Sequence, residues 1–169
     1  MRATHVAALC AFALAQQLGS ADGAGSQLPA AQGPPIRAKC PTNIGITVAD
    51  AEKTAAWYEA TFGLARRKSG TFPQGKFILL GSPSLEVEII QHEASVDARR
   101  ELKISNDYLQ RGVFKVGFYV DDLDATIARL KERQVRLLME DGRDPELHLR
   151  FALIADPDGN TIQLFQNLP

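Results

Sequence analysis

The stretch NIGITVAD at residues 43–50 recurs as KVGFYVDD at residues 115–122. The ends of the two halves match as well, most clearly at VEIIQ (87–91) and IQLFQ (162–166). A duplicated unit places equivalent positions on either side of a pseudo-two-fold axis. The repeat therefore indicates where a site should lie before any catalytic residue is identified.

In each copy of the repeat, apolar residues alternate with polar or small ones. The apolar set is Ile44, Ile46 and Val48 in the first copy and Val116, Phe118 and Val120 in the second. A period of two predicts a strand with one face on an apolar layer.

A helix is predicted after each of these strands. Asp50 and Asp122 offer side chains that cap a helix N-terminus. Gly63 is expected to end the first helix, because glycine readily adopts the left-handed conformation of a C-cap. Apolar residues recur at helical spacing, namely Ala51, Ala55, Tyr58 and Phe62 in the first half and Leu123, Ile127 and Leu130 in the second.

Three further strands are predicted after each helix, so the chain is expected to be an α+β protein in which the unit βαβββ is used twice. These strands are predicted at 64–69, 76–81 and 85–91 in the first half and at 135–139, 148–155 and 161–166 in the second. The sequence DPDGN at 156–160 is a turn signal between the last two strands.

The length of 169 residues suits one domain with an adequate core. We expect a single domain at 40–168, with module one at 41–91, a polar connection at 92–112 that contains a short helix near 98–102, and module two at 113–167. A formal net charge of −1 gives no reason to expect nucleic acid or an anionic membrane as a partner.

The N-terminus resembles an export signal. Arg2 precedes an apolar run at 6–15, and Ala13-Leu14-Ala15 has the small-x-small form of a signal-peptidase site. The run is too short to span a bilayer. We therefore predict a signal peptide at 1–15, a flexible tether at 16–39, and a periplasmic or secreted protein with no membrane association after signal removal; the alternative is a disordered, alanine-rich N-terminus. Signal removal leaves Cys40 as the sole cysteine, which excludes an intramolecular disulfide.

The order, spacing and duplication of these segments resemble the vicinal oxygen chelate superfamily, which includes glyoxalases, extradiol dioxygenases and bleomycin-resistance proteins. The matching pieces are 43–50 with Trp57-Tyr58 and Phe62-Gly63-Leu64, then 116–123, then DPDGN leading into Ile162-Gln163-Leu164. The resemblance implies two tandem βαβββ modules that form a curved mixed sheet around a central cavity. It also makes a homodimer one expectation, since short members of the family often pair.

Alternation places a second set of residues on the cavity face. Asn43, Glu88, Lys115 and Gln163 should lie there together, with Gly45 and Gly117 either leaving room for a ligand or marking a close approach to the backbone. Thr47, Tyr119 and Phe165 share this face, where aromatic rings suit a planar ligand or else fill a closed core.

In metal-dependent members, the resemblance implies that these four positions hold His or Gln, Glu, His and Glu around one divalent ion. Here Glu88 is the one good ligand, Asn43 is a poor substitute, and the Lys115 ammonium has no lone pair. We therefore expect no metal cofactor. Of the histidines, His92 could lie at the cavity mouth, and His148 is expected at the surface.

The resulting hypothesis is a binding protein that holds a small organic molecule without a metal. Lys115 would replace the charge of the ion, pair with Glu88 across the cavity, and bind a carbonyl or carboxylate. Three alternatives stay open: an enzyme of the glyoxalase or dioxygenase type with unusual metal ligands, a lyase or isomerase with Glu88 as base and Lys115 as electrophile, and a protein whose Lys115–Glu88 salt bridge or filled cavity binds nothing.

Overall fold

The computed structural model describes residues 39–106, 109 and 111–169. The predicted signal peptide at 1–15 and the tether, except Lys39, lie outside the described residues. Within the described residues, no helix is long and apolar enough to cross a membrane.

Each half of the domain is a βαβββ module, as predicted. Module one comprises β1 (Thr42–Thr47), α1 (Ala51–Phe62), β2 (Ala65–Phe72), β3 (Gly75–Gly81) and β4 (Leu85–His92). The connection carries α2 (Ala98–Glu101). Module two comprises β5 (Lys115–Tyr119), α3 (Leu123–Glu132), β6 (Arg136–Asp144), β7 (Leu149–Ala155) and β8 (Thr161–Asn167).

The strands form two mixed sheets of four, in the orders β1-β4-β3-β2 and β5-β8-β7-β6. In each sheet the first strand of the module runs parallel to the last, and the other neighbours are antiparallel. The predicted α+β class is thus confirmed, with one four-stranded sheet for each repeat.

Both principal helices begin at the predicted caps. The Asp50 carboxylate accepts from two backbone N–H groups of the first turn of α1, and Asp122 accepts from Ala125 N in α3. Gly63 ends α1 with φ of 66°, and its N–H bonds to Glu59 O. These contacts satisfy backbone groups that a helix end otherwise leaves unpaired.

The core joins both modules into one apolar layer. The helix-facing positions of the strands pack under the helices, and Phe62 of α1 contacts Phe118 of β5 at 5.1 Å between ring centroids. The largest of the fully buried side chains are Ile78, Leu80, Ile89, Leu123, Ile154, Val87 and Thr54. Burying the aliphatic side chains among them supplies about 1.5–3 kcal/mol each, so the repeated apolar pattern is the main source of stability.

A glutamine at the end of each module's last strand holds the start of its helix. Gln91 Oε1 accepts from Ala51 N at 2.9 Å, and Gln166 Oε1 accepts from Leu123 N at 3.0 Å. The two contacts are equivalent under the repeat, so each module fixes its own helix against its own sheet.

Strand β6 is longer than predicted, because its charged second half continues to pair with β7. Irregular register lets Gly142 lie opposite Phe151 and Asp144 opposite Leu149. Arg150 of β7 then donates to Asp141 at 3.0 Å and to both carboxylate oxygens of Asp124. These hydrogen bonds lower the pKa of Asp124 and Asp141 and raise that of Arg150.

Candidate functional site

The face of each sheet that lies away from the helices carries the predicted site residues. In module one, Asn43 and Thr47 of β1 are exposed, and Glu88 of β4 is half-buried beside Gly45. The alternation that packs Ile44 and Ile46 against the core thus leaves Asn43 and Thr47 on the opposite face.

In module two, the same face carries Lys115, Tyr119, Gln163 and Phe165. Lys115 is half-buried, Gln163 is only 4% exposed, and Tyr119 is 66% exposed. The register pairs Gly117 with Gln163 and Tyr119 with Phe165. The polar pair and the aromatic pair are therefore neighbours on adjacent strands.

Lys115 bonds to Gln163, and the predicted pairing of Lys115 with Glu88 is wrong. The Lys115 ammonium donates to Gln163 Oε1 and lies 5.4 Å from the centroid of the Phe114 ring. No ion pair or hydrogen bond of Glu88 occurs among the described residues. Gln163 pairs with Gly117, two residues along β5 from Lys115, whereas Glu88 belongs to the other sheet. The nearer acceptor is therefore the one that Lys115 uses.

An aromatic row covers the neighbouring part of module two. The Tyr119 and Phe165 rings stack with centroids 5.3 Å apart and planes inclined by 27°, and Phe151 follows at 6.5 Å from Phe165. Phe165 rests against the backbone of Gly117, where a Cβ atom would lie 2.6 Å from its Cε2. Glycine at 117 thus permits the close approach of a side chain of the protein itself, which is the second of the two roles predicted for it.

A cleft of about 840 Å³ lies beside Lys115. Thr47, Lys115 and His92 line it, together with residues 95–100 of the connection. His92 is among these lining residues, and its Nδ1 accepts from Ala94 N at 3.0 Å. Asn43, Glu88, Gln163, Tyr119 and Phe165 are not part of its lining, which takes in the connection between the modules instead.

Arg99 is the connection residue that the sequence analysis missed. Its guanidinium donates to Gly159 O at 2.8 Å, Asp158 O at 3.2 Å and Asn160 Oδ1 at 3.3 Å. These contacts tie α2 to the DPDGN turn. The adjacent arginines at 99–100 in a polar connection were the only sequence signal for this role.

The carboxylates of the DPDGN turn bind α1 of the other module. Asp158 accepts from Ala49 N at 2.7 Å and from the Thr54 hydroxyl at 2.8 Å, and Asp156 accepts from the Tyr58 hydroxyl at 3.3 Å. Burial and these neighbouring carboxylates raise the pKa of Tyr58 well above its usual range. We call this set of contacts the carboxylate clasp.

The opposite end of the module interface has no carboxylate contact of this kind among the residues that the structure describes, although Arg133, just after α3, donates to Ala60 O of α1 beside it. There the turn before β4 presents Ser82 and Ser84, and a pocket of about 270 Å³ separates it from Thr126 and Leu130 of α3. The repeat is therefore symmetric in its scaffold but asymmetric in how its two ends are joined.

The residues at the four family positions do not suit a divalent metal. Glu88 supplies one carboxylate. The second-best metal ligand is the amide oxygen of Gln163, which already accepts a hydrogen bond from the Lys115 ammonium. A cation at that place would repel a divalent ion. No cluster of three or more His, Cys, Asp or Glu side chains suited to an ion occurs in the described part of the chain.

Comparisons with known proteins agree with the architecture. No curated protein sequence matches the chain. A glyoxylase/bleomycin resistance protein/dioxygenase domain from Frankia sp. EAN1pec superposes with a TM-score of 0.63 and 16% identity, covering 78% of this chain and 93% of that one. A glyoxalase family protein from Enterococcus faecalis gives a TM-score of 0.62 and 20% identity over 76% of this chain and 97% of that one.

A third structure, a point mutant of glyoxalase I from Zea mays, gives a TM-score of 0.58 and 21% identity. It covers 75% of this chain but only 45% of the maize chain. At these identities the structures show a shared fold. A family sequence model matches residues 42–164, which is most of the chain. The protein belongs to the Glyoxalase/Bleomycin resistance protein/Dioxygenase superfamily.

Proposed function

We propose that this protein binds a small organic molecule on the open face of its sheets without a divalent metal. The observation that carries the proposal is the Lys115–Gln163 hydrogen bond at the family's metal positions. A fixed ammonium there offers one positive charge to a carbonyl or carboxylate. A metal ion would offer two charges and would need several anionic donors.

The surroundings of Lys115 support this role. Its side chain is half-buried and lines the cleft of about 840 Å³, so a ligand can reach it while part of the solvent is excluded. A hydrogen bond with an ionised donor or acceptor is roughly twice as strong as one between neutral groups. A carboxylate adds to this the attraction between its charge and that of the ammonium. An anionic ligand would therefore compete well with the neutral amide of Gln163 for the ammonium.

Metal dependence is tested by thermal unfolding of the purified chain with EDTA, zinc, nickel, manganese or magnesium. We expect the same midpoint in all of these conditions and no stoichiometric metal by elemental analysis. A parallel screen of small carboxylates and carbonyl compounds should raise the midpoint, and Lys115→Met should abolish that rise. One metal per chain, lost in Glu88→Gln, would overturn the proposal.

The exposed lysine at position 53 supplies a matched control, because Lys53→Met also removes one positive charge but lies on α1. We expect Lys53→Met to respond to ligands as the parent protein does. Turnover of a responding carbonyl compound, lost in Glu88→Gln, would favour the lyase or isomerase alternative over simple binding.

We further propose that the protein is exported and processed after Ala15. The support is the apolar run at 6–15 followed by a small-x-small sequence. Expression in a bacterial host followed by mass analysis of the periplasmic fraction should give a chain that starts at Gln16. An intact chain confined to the cytoplasm would refute export but leave the binding proposal unaffected.

A further inference from the structure

We propose that the ligand is a planar aromatic carboxylate, held by Lys115 at its charged end and by the aromatic row of Phe165 and Tyr119 along its ring. This inference rests on the proposed function and specifies the ligand class. The three side chains belong to adjacent strands and to one face of module two.

The spacing of the charge and the rings matches such a molecule. Phe165 packs over Gly117, which is two residues from Lys115 on the same strand face. Two residues of a strand span about 6.6 Å. That separation suits one aromatic ring with a carboxylate attached, with the ring beside Phe165 and the carboxylate at the ammonium.

The aromatic row has an open side. Tyr119 is stacked on Phe165 yet remains 66% exposed, so much of its surface is free to contact a further ring. Offset-stacked and edge-to-face arrangements of aromatic rings are both favourable, and they add to the burial of apolar area. An aliphatic ligand of equal size would gain the burial alone.

Gln163 completes the carboxylate site. Its Oε1 accepts from Lys115, while its amide nitrogen makes no hydrogen bond to other described residues. A carboxylate can accept one hydrogen bond from the ammonium and a second from this amide nitrogen. A neutral ligand would lack the charge that makes the first of these bonds strong.

The other module offers no equivalent arrangement. Under the repeat, Asn43 corresponds to Lys115 and Glu88 to Gln163, while Thr47 and Ile90 occupy the places of the two aromatic residues. Module one therefore presents no cation and no ring at these positions. The ligand should lie on module two, with one site for each chain.

The test compares three probes by calorimetric titration of the full chain: benzoate, cyclohexanecarboxylate and benzamide. Benzoate carries both ring and charge, and each of the others lacks one of them. We expect benzoate to bind at least about tenfold more tightly than either, since a charge-assisted hydrogen bond and ring stacking each contribute a factor of this order.

Two variants separate the contributions of the charge and the ring. Lys115→Met should weaken the binding of benzoate about tenfold and that of benzamide less, because benzoate alone also loses the attraction between opposite charges. Tyr119→Leu should weaken the binding of benzoate and benzamide but not that of cyclohexanecarboxylate. The controls are Lys53→Met and Phe72→Leu, the latter at an exposed ring on β2 of module one. Circular dichroism of every variant checks that it is folded.

The outcomes distinguish the inference from the proposed function. If cyclohexanecarboxylate or benzamide binds as tightly as benzoate, the aromatic carboxylate assignment is wrong although binding without metal stands. If no probe binds unless a divalent ion is present, both are wrong.

Discussion

Removing the carboxylate of Asp158 should separate the two modules at one end. Asp158 accepts from the Thr54 hydroxyl, which is on a side chain only 1% exposed, and from the exposed Ala49 N–H. In Asp158→Ala, the buried hydroxyl loses its acceptor, at a cost of about 1–3 kcal/mol, and the Ala49 bond adds about 1 kcal/mol. We expect a total loss of about 2–4 kcal/mol in the free energy of unfolding.

The measurement is urea unfolding followed by the fluorescence of Trp57, the one tryptophan of the chain. Trp57 reports on this region because its ring meets Tyr58 edge-on at 4.9 Å. With a slope of about 1–3 kcal/mol per molar urea, the midpoint should fall by about 1 M or more. Asp158→Asn should lose less, because its amide can accept from Ala49 N and donate to the Thr54 hydroxyl.

A double-mutant cycle gives the sharper test. In the parent, Thr54→Val removes the hydrogen bond to Asp158 and should destabilise the protein. In the Asp158→Ala background, the same substitution removes a hydroxyl that has lost its acceptor, so it should be neutral or stabilising. Thr126→Val is the matched control, since that hydroxyl donates within its own helix to Asp122 O. A coupling energy below about 0.5 kcal/mol between Asp158 and Thr54 would refute the reasoning.

Three further predictions concern pH and packing. The pKa of Tyr58 is raised in the folded state, so its contribution to stability is complete below the unfolded pKa of 10.0 and is lost progressively above it. In urea titrations from pH 9 to 11, the free energy of unfolding of the parent should fall by about 1.4 kcal/mol more than that of Tyr58→Phe. Arg150 lowers the pKa of the two carboxylates that it bonds, so Arg150→Gln should be less stable than the parent at pH 7. This difference in stability should fade as the pH falls below about 4 and should shrink with added salt. An equal loss of stability in Arg150→Gln at about pH 2.5 and at pH 7 would contradict this. Gly117→Ala should cost about 1 kcal/mol in chemical unfolding by displacing Phe165, whereas Gly45→Ala, which meets nothing within 4 Å, should cost little.

The sequence predicted the elements well because their signals are local. Alternation identified β1 and β5, and the side chains of Asp50 and Asp122 identified the helix starts, since each acts within a few residues of its position. The repeat then extended these assignments to module two. The end of β6 was missed because its charged residues resemble a loop, and pairing with β7 became visible only in the structure.

The partner of Lys115 was predicted wrongly for a different reason. Alternation assigns a residue to a face, but it does not give the distance between two sheets. Gln163 is on the strand adjacent to Lys115 and Glu88 is on the other sheet, so the register of β5 with β8 decides the contact. The contacts of the carboxylate clasp could not be predicted for a similar reason. The sequence DPDGN predicts a turn whether or not its side chains contact a helix of the other module.

The carboxylate clasp also has a consequence for motion. One end of the module interface is joined by three hydrogen bonds to Asp156 and Asp158. The other has the pocket beside Ser82 and Ser84, next to the hydrogen bond from Arg133 to Ala60 O. The modules should therefore be held more firmly at the edge of the carboxylate clasp, with amide hydrogen exchange faster along the turn at 82–84 than along the turn at 156–160.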